Sequence, residues 1–358
     1  MTAVRETGAI RPLELADLPA AAAVFERAMS TGSTPAGLER LLRRTALEDP
    51  WADPELPPLV CTGDDGEIAG LLLTCTRRVR FEGEPVRTTA GSHVIVDPAA
   101  QGHAYGRALI ERSWAAPKQL SFTDGATDRA GELLQRMGFT LLQLESLEWT
   151  TVLRPAAYWQ GRTRTLGAAG RALARALDAL LVRTPLAGAR RPPGLTDEPL
   201  TPALMLEQLE PLTAWARLRV DYDLPFLTWL FAQLADDHPQ GRLAARLVRR
   251  DGAAIGWHIS LIPPRGIAQV LQVVAAPADM GAVLGALIAH AHTCGASAVS
   301  GRLEAPLVDA ITARRTILRR GGLVLARAKD PAMLAAIQNG SALFTRLDAD
   351  WWIDPTGR

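Results

Sequence analysis

Residues 94–111 read Val94-Ile95-Val96-Asp97-Pro98-Ala99-Ala100-Gln101-Gly102-His103-Ala104-Tyr105-Gly106-Arg107-Ala108-Leu109-Ile110-Glu111. A β-rich run halts at Pro98, small residues follow, and an amphipathic helix starts near Ala104. The first turn of a helix carries unpaired N–H groups and the positive end of the helix dipole. Those donors suit a pyrophosphate, and small residues at Gly102, Ala104 and Gly106 let a phosphate approach the backbone. The strand, turn and helix around these small residues give the pattern its reading as an anion site. The competing reading is an ordinary strand-to-helix turn with no ligand.

The flanking sequence supplies a frame for this turn. Residues 9–13 read as a strand, 15–30 as a helix with Asp17 near its positive end, and 36–47 as a second helix with Leu38, Leu41, Leu42 and Leu47 on its apolar side. Strands are expected at 58–62 and 67–80 around an Asp64-Asp65-Gly66 turn, and at 86–97 after a turn over 81–85. Beyond the helix at 104–114 come a strand at 119–123, a helix at 127–137 and two strands between 138 and 154.

In this order the elements resemble the GNAT superfamily of acyl-CoA N-acyltransferases. The family's acyl-CoA motif is Arg or Gln, two residues, Gly or Ala, one residue, Gly or Ala, and Gln101-Gly102-His103-Ala104-Tyr105-Gly106 fits it. Gln135-Arg136-Met137-Gly138-Phe139 looks like the family's later helix-to-strand motif, and the resemblance covers roughly residues 9–154. It implies a mixed sheet splayed between its fourth and fifth strands. The pantetheine arm of acetyl-CoA, or another acyl-CoA, would pair with the backbone of Val94, Ile95 and Val96. The phosphates would be held by Gln101, Gly102, His103, Ala104, Tyr105, Gly106 and Arg107.

Amine acylation needs a neutral amine, a stabilised thioester oxygen and a thiolate that can leave. His93 is the candidate base, since imidazole titrates near neutrality and GNAT enzymes often carry a base just before the motif. The competing reading is a hydrogen-bonded structural histidine. Asp124 ends the next strand and is the candidate to bind a cationic amine or relay a proton through water; the alternative is a solvated strand end. Many GNAT enzymes place a tyrosine acid in the helix before the Gly-Phe pair, and that position is Leu134 here. The family's frequent asparagine earlier in this helix is Thr127.

The C-terminal half repeats the order of the first. Asp251-Gly252 matches Asp65-Gly66, and Val273-Val274-Ala275-Ala276-Pro277 matches the strand ending at Pro98. Arg319-Arg320-Gly321-Gly322 is expected to end a helix, as Arg136-Met137-Gly138-Phe139 does. The turn after Pro277 lacks the motif spacing, so this half is expected to have lost acyl-CoA binding. Its segments 221–231 and 344–352 place aromatics beside carboxylates, as in two-lobed GNAT-like proteins; such groups stack on sugars or hold amines, or else form core. Between the halves, Leu166, Leu173, Leu177, Leu180 and Leu181 predict a basic Ala/Leu/Arg helix over 165–182, which bridges the lobes or touches an anionic membrane surface. A Pro-rich connector follows. The expected architecture is α/β (α+β): two GNAT-like mixed-sheet lobes, 1–154 and 201–358, joined by a helical and Pro-rich linker over 155–200.

The formal net charge of +1, from 39 basic and 38 acidic residues, predicts no strong non-specific attraction to nucleic acid. The three cysteines Cys61, Cys75 and Cys294 fit neither a zinc site nor a disulfide framework, so no metal is expected. No signal-like or membrane-spanning apolar run stands out, which points to a cytoplasmic protein. Two rival readings accompany the N-acetyltransferase one. The missing tyrosine suggests a non-catalytic acyl-CoA sensor. Paired lobes also suit a Fem-type aminoacyl transferase, against which the near-neutral charge and intact acyl-CoA motif argue.

Overall fold

The longest hairpin organises the first sheet. Strands β3 (Ile68–Phe81) and β4 (Glu84–Val96) are rich in β-branched and aromatic residues. They meet at Glu82-Gly83, where both residues have positive φ, 53° and 88°, as a two-residue turn of right-handed twist requires. Asp251-Gly252, at 50° and 85°, closes the equivalent hairpin in the second half.

The computed structural model describes residues 9–100, 104–162, 191–235 and 238–349. In chain order the first half runs β1 (Ile10–Pro12), α1 (Leu18–Met29), α2 (Pro35–Leu42), β2 (Leu59–Thr62), β3, β4, α3 (Tyr105–Trp114), β5 (Leu120–Ala126), α4 (Asp128–Arg136), β6 (Thr140–Leu141), β7 (Leu147–Val152) and α5 (Pro155–Arg162). The second half runs β8 (Leu195–Pro199), α6 (Pro202–Thr213), β9 (Leu218–Val220), α7 (Leu224–Ala235), β10 (Arg242–Arg250), β11 (Ala253–Ile262), β12 (Ile267–Ala275), α8 (Met280–Thr293), β13 (Ala298–Arg302), α9 (Val308–Thr312), β14 (Ile317–Arg320), β15 (Leu323–Ala328), α10 (Pro331–Gln338) and β16 (Ala342–Leu343). The α/β architecture read from the sequence is present as helices around two mixed sheets.

Besides the two-residue parallel pairing of β9 with β16, each sheet contains one short parallel junction. In the first, β4 pairs with β5 only through Thr88↔Leu120, Thr89↔Ser121 and Ala90↔Phe122. In the second, β12 pairs with β13 only through Ile267↔Ala298, Ala268↔Val299 and Gln269↔Ser300. A β-bulge lies beyond each junction, where Ser92 is the extra residue against Leu73/Thr74 and Leu271 the extra residue against Ile259/Ser260. Ser92 precedes Pro98 by the same interval as Leu271 precedes Pro277. A bulge turns its strand away and raises the local twist, so both strands leave their parallel neighbour at the same place.

The strands that close the two sheets are exchanged. β7, which follows the first half's α4, pairs antiparallel with β13 and β14 of the second sheet. β15, from the second half, pairs with β5 along its length and with β6 in the first sheet. A continuous core joins the sheets through Val79, Ala90 and Phe122 on one side, Leu209, Phe226 and Leu230 from α6 and α7, and Trp257 and Leu271 on the other.

Two local expectations change, and one helix appears that was not foreseen. The second helix stops at Leu42, and Arg43–Leu47 winds into a wider π turn. The helix expected to end at Arg319-Arg320 is the shorter α9, and those arginines lie on β14, where the edge of β7 recruits them into a strand. The helix expected over 165–182 lies outside the described residues, while Pro155–Arg162 forms the unforeseen α5.

Candidate functional site

Within the junction, a buried hydroxyl pair, Thr89 and Ser121 at 3.1 Å, ties β4 to β5. Above it β4 stays with β3 while β5 follows β15, and the sheet opens. A cavity of about 430 Å³ occupies the opening. Gly91, His93, Val94 and Ile95 line it from β4, and Ser121 to Ala126 from β5. One wall is formed by α3 and α4 through Ile110, Trp114, Ala130 and Leu134. Met29, Glu148 and Arg346 lie on its lining as well, from elements distant in sequence.

At the mouth of the opening stands the first turn of α3. Ala104 is its N-cap, Tyr105 is buried, and Arg107 is exposed and paired with Glu111 at 2.7 Å. A Cβ on Gly106 would stand 3.5 Å from Val94 Cγ1 and 3.6 Å from Val96 Cγ2, so the helix presents its glycine to the end of β4. The first turn of an α-helix directs outward N–H groups that the helix ladder itself does not use. The turn is anchored by Asp97, which is buried, accepts from the Ala99 N–H at 2.9 Å and is bonded by Arg27. The Arg27 guanidinium holds the Asp97 carboxyl below its ordinary range. Gln101, Gly102 and His103 lie outside the described residues.

His93 sits beside the bulge and lines the cavity, with its ring 5.1 Å from that of Phe25. Asp124 also lines the cavity, and it is not the solvated strand end of the alternative reading. It is buried and paired with Arg302 of β13 at 2.9 Å. Arg302 in turn reaches Glu304 and the Phe344 carbonyl. Burial pushes the Glu304 acid up to about 8, against the pull of Arg302. On the same lining, burial would raise Glu148, but Arg346 at 2.6 Å and Arg319 outweigh it and hold the carboxyl below its ordinary range. Leu134, where the sequence resemblance leads one to look for a tyrosine, is 8% exposed and part of an apolar cluster with Ile110 and Phe139.

Lys118, in the connector between α3 and β5, was not legible as a site residue. Pro117-Lys118-Gln119 has the composition of a polar turn. Yet Lys118 is 2% exposed and lines the cavity, with its ammonium bonded to Ser113 Oγ at 2.7 Å. Burial lowers its pKa to about 8. Glu148, Arg346 and Arg302 were also missed, because strand exchange brings them in from the second sheet and its following segment.

At the bulge of the second sheet the chain itself lies against β12 through the buried Thr345 and Leu347, while Arg346 lines the first cavity and Arg77 of β3 bonds the Asp348 carbonyl. The Leu347 N–H bonds the carbonyl of the bulged Leu271 at 3.0 Å, and Gln272 bonds Thr345. At the start of α8 the N-cap residue is Asp279, whose carboxylate pairs with Arg250 at 2.5 Å. The aromatics of 221–231 are mainly core: Phe226 is 1% exposed and stacks on Trp51 at 3.6 Å. Asp221 and Asp223 are engaged by Arg80 and Arg78. Trp351 and Trp352 lie outside the described residues. Among the described residues no group of three or more His, Cys, Asp or Glu could hold a metal, and no helix is long and apolar enough to cross a membrane.

Solved structures similar to this chain include GCN5-related N-acetyltransferases. One from Anabaena variabilis superposes with a TM-score of 0.60 at 13% identity, over 90% of this chain and 73% of that one. One from Kribbella flavida gives 0.57 at 17% identity, over 92% and 73%. Saccharomyces cerevisiae N-myristoyltransferase, solved with myristoyl-CoA, gives 0.52 at 9% identity, over 90% and 79%. No protein-family model and no curated protein matches the sequence. The chain therefore has the GNAT fold.

Proposed function

We propose that this protein is an acyl-CoA-dependent N-acyltransferase that moves an acetyl or other short acyl group to an amine of a small molecule or sugar. The observation that carries this reading is the cavity in the β4–β5 opening, with the first turn of α3 at its mouth. Val94, Ile95 and Val96 would pair with the pantetheine arm, and the turn from Gln101 to Arg107 would hold the phosphates. Backbone N–H groups of β4 beside the bulge would polarise the thioester carbonyl. His93 would take the proton from the attacking amine. Asp124, held by Arg302, would act through its charge on the amine side of the cavity rather than as a mobile base.

The apolar Leu134 wall favours a second reading, an acyl-CoA-binding protein without turnover. Purified protein, acetyl-CoA and a panel of amines, with thiol release as readout, separate the two. Amine-dependent release supports the transferase. Calorimetric binding without release supports the sensor, and no binding of acetyl-CoA overturns both. The two sheets, with equally spaced bulges and prolines, are read as a duplicated GNAT unit over 1–154 and 201–358 in which the second unit has lost its site.

A further inference from the structure

We propose that the Lys118 end of the cavity is a subsite for a carboxylate on the acyl group, so that the preferred donor is a dicarboxylic acyl-CoA of the malonyl or succinyl class. The inference rests on the acyl-CoA reading above. Three observations lead to it. Lys118 is 2% exposed and lines the cavity. Among the described residues its ammonium bonds one side chain, the Ser113 hydroxyl at 2.7 Å, and pairs with no carboxylate. The wall beside it is apolar, formed by Ile110, Trp114, Leu134 and Phe139.

A charge taken from water without a counter-ion is costly, and a neutral acyl chain would leave it so. A ligand carboxylate would supply a charge-assisted bond, with the Ser113 O–H as a second donor. The negative charge that meets Lys118 is not a CoA phosphate. Gly106 and Ser113 lie on the first and last turns of α3, about 10 Å apart along the helix axis. A pantetheine arm laid from the first turn along the opening therefore delivers its acyl end, not its phosphates, to Lys118. The other cation on the lining, Arg346, already pairs with Glu148.

The test is calorimetric titration of the full chain with acetyl-CoA, malonyl-CoA and succinyl-CoA. The wild-type protein should bind one of the dicarboxylic donors about tenfold or more tightly than acetyl-CoA. Lys118→Met should erase that preference while keeping acetyl-CoA affinity within about threefold. Ser113→Ala should reduce the preference by a smaller factor. Equal wild-type affinity for all three donors would overturn the subsite and leave the acyl-CoA reading intact. So would an equal loss of all three in Lys118→Met, which would place the ammonium at the thioester sulfur. Failure of every donor to bind folded wild-type protein would overturn the acyl-CoA reading, and the subsite with it.

Discussion

In the absence of ligand, replacing Lys118 by methionine should stabilise the protein at neutral pH. The lysine is 2% exposed and its pKa falls from an ordinary 10.5 to about 8 through burial. That fall corresponds to about 3 kcal/mol against the charged form in the folded state. Its folded pKa lies below its unfolded one, so the unfolded chain binds more protons between pH 8 and 10.5, and stability rises with pH across that window. The full penalty is present below about pH 8. Losing the Ser113 hydrogen bond takes back about 1 kcal/mol. Methionine fills a similar volume, so Lys118→Met should gain about 2 kcal/mol at pH 7. Urea unfolding at pH 7 and pH 10, with unchanged m-values, measures it. The gain should shrink by most of its size at pH 10. A variant less stable than wild type at pH 7, or a gain that does not fall with pH, would refute the placement of an unpaired ammonium in this cavity.

Gly106→Val should weaken acetyl-CoA binding by about tenfold or more in calorimetry and leave the circular dichroism spectrum unchanged, since a Cβ there meets Val94 and Val96 only at ordinary contact distance. Titration should find one equivalent of coenzyme A per chain, because the buried Thr345 and Leu347 occupy the bulged part of β12; two equal sites would contradict this. His93→Ala should lower kcat/KM by about 100-fold or more with little change in acyl-CoA affinity, and the acidic limb of the pH–rate profile should disappear; an unchanged limb would make His93 structural. Arg302→Met leaves Asp124 buried without its partner and should cost about 3–5 kcal/mol in urea unfolding, part of which Asp124→Asn should restore in the double variant.

The sequence carried the first half well where the signals were local. The run from Val94 to Glu111, the Asp-Gly turns and the Met137-Gly138-Phe139 ending each depend on neighbours within a few residues, and the described elements β4, α3, α4 and the Asp-Gly hairpins formed where their signals stood. The spacing between Leu271 and Pro277 was equally present in the chain, but a bulge has no residue signature of its own and became visible only in the register of β11 and β12. The charges around the cavity were illegible for another reason. Asp124 reads as a strand end because its partner, Arg302, lies far along the chain. Lys118 reads as a surface turn because its burial is imposed by α3 folding back over it. Arg319 and Arg320 were misread because helix and edge strand have similar local preferences there, and pairing with β7 decided between them.

The exchange of β7 and β15 makes the chain hard to divide. A cut between the halves would leave one fragment holding a strand that belongs to the other's sheet, and the reverse, so each piece alone would expose an unsatisfied strand edge and tend to aggregate. Mixed together, the pieces have reason to reassemble, since each carries what the other lacks. The same arrangement sets the order of events during synthesis. β5 must wait for a partner roughly 200 residues further along, so the first sheet cannot be completed until nearly the whole chain has been made. A nascent chain of this kind passes through a long interval with its future ligand cleft half-built, and it should depend on holding chaperones more than a protein whose halves mature one after the other.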